Sequence, residues 1–160
     1  MNLKPLVPFL ALVIATRPVG ATAQVGGNLA APPAVEIYLE ITTGPDGPMI
    51  ALSEFELVTG EYYRMNVTSD GRADWRLEVD ALLENSHLRL LTIDGIEVHL
   101  QGMSFRAIEF DTAGTVQFSF VPIRPGTYRF SVGNVPLAVG RPYGASGPDE
   151  RAVFGQFVVR

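Results

Sequence analysis

The sequence predicts an all-β fold, a Greek-key sandwich of about nine short strands with at most one short helix. Three observations lead there: apolar and polar residues alternate with a period of two, turn residues recur every eight to twelve positions, and helical periodicity is nearly missing. Strands with one apolar and one polar face bury the apolar side against a second sheet.

The elements follow in chain order. Lys4, the apolar stretch from Leu6 to Ala15 and the small residues Ala21-Thr22-Ala23 predict a secretory signal over residues 1–23, cleaved before Gln24. The apolar stretch is shorter than the roughly 20 residues of a membrane span, so no span is expected after cleavage. Residues 24–33, with Gly26, Gly27, Pro32 and Pro33, read as a flexible lead-in. Residues 34–160 form one domain, long enough to bury roughly two-thirds of its unfolded surface without covalent help.

Within that domain Val35, Ile37, Leu39 and Ile41 alternate with Glu36, Tyr38, Glu40 and Thr42, a strand stopped by Thr43-Gly44-Pro45-Asp46-Gly47-Pro48. Runs from Ile50 to Val58 and from Glu61 to Thr68 follow, and Ser69-Asp70-Gly71 turns the chain into Trp75 to Val79. Asp80 to Ser86 is the one expected helical turn, with Asp80 as its N-cap. Leu88 to Ile93 and Ile96 to Gln101 make a hairpin around Asp94-Gly95, a pair suited to the positive φ angles of a type I′ turn. Strands Arg106 to Phe110, Thr115 to Val121, Thr127 to Val132 and Ala152 to Val159 complete the set.

Composition removes several functions. The chain has no cysteine, which excludes disulfide staples, a thiolate nucleophile, zinc-cysteine sites, iron-sulfur clusters and a lipid-modified cysteine. Of its 12 basic residues, Lys4 and Arg17 fall in the leader, so ten remain against 17 acids, a net charge of -7 for the processed chain. An acidic domain without clustered Lys and Arg is no nucleic-acid binder. With one lysine, in the leader, no phosphate-binding Gly-x-x-x-x-Gly-Lys loop exists. Ser86 and His87 are adjacent rather than arranged with an acid as a catalytic set, and no Gly-x-Ser-x-Gly elbow occurs. No enzyme activity is therefore expected.

Phe120-Val121-Pro122-Ile123-Arg124-Pro125-Gly126-Thr127-Tyr128-Arg129-Phe130, followed after a long loop by Phe154-Gly155-Gln156-Phe157-Val158-Val159, resembles the C-terminal half of the cupredoxins, the superfamily of plastocyanin, azurin and the copper domain of cytochrome oxidase subunit II. Phe55-Glu56-Leu57-Val58-Thr59-Gly60-Glu61-Tyr62-Tyr63-Arg64 is similar to the family's strand-Gly-strand entry. The resemblance implies a cupredoxin-like sandwich. It also implies positions for a type 1 copper site, which needs two imidazoles and a thiolate. Matched one by one, those positions hold Val132 in place of the cysteine, Val153 in place of the axial methionine, and Trp75 near the first imidazole. No histidine follows His99. The resemblance thus implies a cupredoxin-like fold that has lost the type 1 ligands, with Trp75, Val132 and Val153 packing that end, and no cofactor.

Two other features carry possible function. His99, Glu97 and Met103 could hold copper weakly, or form a solvated polar face; strict alternation puts His87 on the opposite side of the hairpin. The segment Gly133 to Glu150, rich in Gly and Pro, carries Leu137, Val139, Arg141 and Tyr143. It reads either as a partner-binding loop or as an insertion that replaced a ligand loop. The expectation is an exported, periplasmic binding or assembly module whose partner is another exported protein, with a weak copper-handling role as the alternative.

Overall fold

Eleven strands and one helical turn follow one another among the described residues. They are β1 (Val35–Thr43), β2 (Pro48–Ile50), β3 (Glu54–Leu57), β4 (Tyr63–Ser69), β5 (Trp75–Glu78), α1 (Asp80–Leu83), β6 (Ser86–Ile93), β7 (Ile96–Val98), β8 (Ala107–Phe110), β9 (Gly114–Pro122), β10 (Gly126–Gly133) and β11 (Ala152–Val159). The computed structural model describes residues 33–100, 104–134 and 151–160. The expected leader, the lead-in up to residue 32, Met103, Leu137, Val139, Arg141 and Tyr143 lie outside them.

The strands build two facing sheets. The first runs β2-β1-β4-β9-β6-β7 and the second β3-β11-β10-β5-β8. Both are mixed, because β1 pairs parallel to β4 and β3 parallel to β11 while the other pairs are antiparallel. Where one strand was expected from Ile50 to Val58, β3 alone occupies Glu54–Leu57, and an additional short strand, β2, begins at Pro48 in the expected turn and belongs to the other sheet. Residues 51–53 carry the chain across, so that β2 pairs with β1 and β3 with β11. An alternating pattern reports which face is buried, not which sheet does the burying.

The core lies between the sheets. The first contributes Leu39, Ile41, Met65, Val67, Phe118 and Phe120, the second Phe55, Leu57, Leu77, Phe130, Val132 and Phe157. Phe157 sits 5.1 Å from Phe130 and 5.2 Å from Phe55 between ring centroids. These separations fall in the range where aromatic pairs add to simple area burial. Gly155 opposes Phe130 in the β10–β11 register and leaves room for its ring.

Two local expectations meet the structure differently. Asp94 and Gly95 have φ of 47° and 82°, and Ile93 pairs with Ile96, as a type I′ hairpin requires. The helix cap is corrected: Val79, not Asp80, occupies the N-cap position, and no side chain caps the helix. The Val79 carbonyl accepts the Leu82 and Leu83 N–H groups, and Asp80 lies inside the first turn. At this end of the sandwich the Tyr128 hydroxyl donates to the Arg124 carbonyl at 2.9 Å, a tyrosine corner that ties the β9–β10 connection to its strand. No helix among the described residues is long and apolar enough to cross a membrane.

Candidate functional site

The other end of the sandwich holds the three positions matched to copper ligands. Val132 on β10 pairs with Leu77 on one side and with Val153 on the other. Trp75 stands two residues before Leu77 on β5 and so shares its inward face. Trp75 is 2% exposed and Val132 is 0% exposed, while Val153 packs against the core from the rim. The structure brings all three onto one face. None offers a sulfur or imidazole, and the one polar atom, the Trp75 indole N–H, donates to Thr43 Oγ1 at 2.9 Å. These residues do not fit a type 1 copper ion. Among the described residues, moreover, no group of three or more His, Cys, Asp and Glu could hold a metal.

The indole bond is the first step of a relay between the sheets. The hydroxyl of Thr43, at the end of β1, donates to Asp70 Oδ1 at 3.0 Å, and the Thr43 backbone N–H donates to Asp70 Oδ2 at 2.8 Å. The Arg72 N–H adds a third donor at 3.1 Å. The backbone N–H groups of Thr43 and Arg72 hold the Asp70 carboxyl below its ordinary value of 3.8, helped by the Thr43 hydroxyl and the Arg72 guanidinium. The stabilisation is present above pH 3.8 and is lost as the pH falls through the lower folded-state value. Asp70→Asn is therefore expected to destabilise the protein at neutral pH, and its urea midpoint should converge on that of the wild type as the pH is stepped down below 3.8.

The long segment after β10 springs from this same end. Gly133 pairs with Ala152, the Asn134 N–H donates to the Arg151 carbonyl at 3.1 Å, and the Arg151 N–H returns to Asn134 Oδ1 at 2.8 Å. These bonds close the base of the segment that carries Leu137, Val139, Arg141 and Tyr143.

The two histidines require a correction. The β6–β9 register steps from Leu88 opposite Phe120 to Leu90 opposite Ser119, so Arg89 is an extra residue in β6. Leu88 and Leu91 therefore both face the core, and His87 joins Leu90 and Thr92 on the outside. His87 and His99 thus line one cleft of about 320 Å³ together with Arg89, Leu90 and Glu97, instead of facing apart. His99 is 88% exposed, with Nε2 3.8 Å from Glu97 Oε1. The Arg89 guanidinium lies over the Tyr62 ring at 5.1 Å.

Beside that cleft lies a row of polar residues on the outer face of the first sheet. Tyr38, Asn66, Gln117, Thr92 and Glu97 are successive register partners across β1, β4, β9, β6 and β7. Asn66 Nδ2 donates to Glu36 Oε2 at 2.7 Å, Gln117 Nε2 to Asn66 Oδ1 at 2.6 Å, and the Thr92 hydroxyl to Gln117 Oε1 at 3.2 Å. Arg64 Nη1 donates to Glu36 Oε1 at 3.0 Å. The only sequence signal was that amide and carboxylate side chains hold the outward positions of strands distant in sequence.

No protein-family model matches the chain, and no curated protein matches it. Solved structures do. The chain is similar to Fet3p, a multicopper oxidase that functions in iron import, with a TM-score of 0.57 at 9% identity over 81% of this chain and 28% of that one. A second multicopper oxidase gives 0.52 at 13% identity over 81% and 45%, respectively. The copper-containing nitrite reductase of Thermus scotoductus SA-01 gives 0.52 at 10% identity over 81% and 31%. The fold is cupredoxin-like. The chain spans less than half the length of each of these proteins, and at such identities the likeness speaks for architecture alone.

Proposed function

We propose that the chain is an exported, periplasmic cupredoxin-like module that binds or assembles with another exported protein, without a type 1 copper site and without catalysis. The observation that carries this reading is Val132. The residue matched to the copper thiolate is a fully buried valine between Leu77 and Val153, in a chain that contains no cysteine. Trp75 fills the space beside it and spends its one polar atom on Thr43. An end built from packed apolar side chains stands without a metal, since close packing supplies the cohesion that ligand bonds would otherwise give. The sequence between Asn134 and Arg151, with Leu137, Val139, Arg141 and Tyr143, supplies the apolar and aromatic residue types for the partner contact. Export rests on the leader pattern of residues 1–23.

A second reading, weak copper handling by His99 and Glu97 with Met103, starts from one observation: His99 Nε2 lies 3.8 Å from Glu97 Oε1. Calorimetric titration of the protein and of His99→Ala with cupric and cuprous copper separates the two. The first reading expects no binding tighter than about micromolar in either protein. Tighter binding that disappears in His99→Ala would replace it with the second.

A further inference from the structure

The outer face of the first sheet carries a polar network that neither strand pairing nor core packing calls for. Its side chains hold one another: Glu36 is shared by Arg64 and Asn66, Asn66 by Gln117, and Gln117 by Thr92. Side chains locked in this way offer their remaining hydrogen-bonding positions in a fixed pattern, so little freedom is lost when a ligand arrives. The inventory left over mixes both kinds. Gln117 retains an amide N–H and Arg64 several guanidinium N–H groups, while Glu36 and Thr92 retain oxygen lone pairs.

Beside the row lies a cleft of about 200 Å³ lined by Arg64, Leu90, Thr92, Gln117 and Ser119. Ser119 is 2% exposed, and its hydroxyl has no hydrogen-bond partner. A buried hydroxyl left unmated is unfavourable by a kcal/mol or more, and this one borders the cleft. Ser119 is the register partner of Arg64, whose side chain is 37% exposed and lines the same cleft. At the β1 end of the row, Tyr38 is 66% exposed and shares the face with Asn66, presenting an apolar ring to solvent.

We propose that this face binds a neutral oligosaccharide laid across β1, β4, β9 and β6, with one sugar ring against Tyr38 and a hydroxyl directed at Ser119. Each sugar hydroxyl both donates and accepts, which suits a surface that alternates the two. The Glu36–Arg64 ion pair cancels its own charge, so the complementary ligand is uncharged. Three inter-strand steps of about 4.8 Å make the row from β1 to β6 about 14 Å long, the span of a short chain and not of one sugar. A peptide would instead seek a sheet edge for main-chain bonds or apolar pockets for its side chains, and Leu90 is the one aliphatic residue in the cleft. This binding face is separate from the Trp75 end, so a failure of sugar binding leaves the packed-end reading untouched.

Calorimetric titration of the full chain with cellohexaose, chitohexaose and maltohexaose tests it. At least one is expected to bind with a Kd between about 10 µM and 1 mM. Tyr38→Ala should weaken that binding at least about fivefold. Gln117→Ala should weaken it similarly, and thermal melts keep a folding defect distinct from a lost contact. Tyr38 is exposed, so its replacement should leave the melting midpoint unchanged. Absence of binding to all three at about 5 mM, or binding untouched by both substitutions, would overturn the proposal.

Discussion

Trp75→Ala is expected to destabilise the protein by about 3–5 kcal/mol, the range for truncating a large buried aromatic. The residue is 2% exposed and belongs to the same inward face as Leu77 and Val132, so its removal leaves a cavity that strands on either side cannot close. The loss extends beyond volume. Thr43 Oγ1 would lose the indole donor, and the link from β5 to β1 and on to Asp70 would be cut at its first step. Trp75→Phe keeps much of the volume and removes only the bond, so it should recover most of the difference and leave a deficit of about 1 kcal/mol. Urea unfolding with an unchanged m value measures both. If Trp75→Ala proved nearly neutral, the packed-end description would be wrong.

Gly155→Ala is expected to be at least as damaging, about 3 kcal/mol or more, through overpacking and not a cavity. A Cβ at this position would overlap the Phe130 ring and stand 2.6 Å from the Ser53 carbonyl oxygen. Neither neighbour yields easily. Phe130 is packed between Phe55 and Phe157, and the Ser53 carbonyl accepts the Gln156 N–H at 2.8 Å where β3 joins the second sheet. Adding Phe130→Leu to Gly155→Ala should recover part of the loss, a non-additive result that marks a shared contact. Chemical denaturation of the two single variants and the double variant measures the coupling.

Much of this architecture could be read from the residues because each strand is half-buried. Val35 to Thr42 and Thr115 to Val121 announce themselves by alternation, and Asp94-Gly95 announces its turn by the φ angles it tolerates. What could not be read depends on pairing between distant segments. The exchange of the chain from β2 to β3 left no mark on the apolar pattern. The extra residue at Arg89 reversed the facing of His87 relative to Leu91, and nothing in Ser-His-Leu-Arg-Leu-Leu distinguishes a bulged strand from a regular one. The row of Tyr38, Asn66, Gln117 and Thr92 is assembled from four strands, so its members stand far apart in the chain and each alone looks like an ordinary solvated position. Val132 and Val153, which stand 21 residues apart in the chain, are direct cross-strand neighbours.

The claim that this cupredoxin-like end is organised by packing, not by a metal, predicts how the protein melts when copper is supplied or withdrawn. A ligand that binds only the folded state raises stability in proportion to its occupancy. A site of about micromolar affinity would contribute about 2.7 kcal/mol at about 100 µM copper, a rise of about 10 °C in the melting midpoint for a domain of this size. Thermal melts of the protein with copper, and with a chelator in its place, should coincide within about 1 °C. A copper-dependent rise of several degrees, abolished by the chelator, would contradict the account.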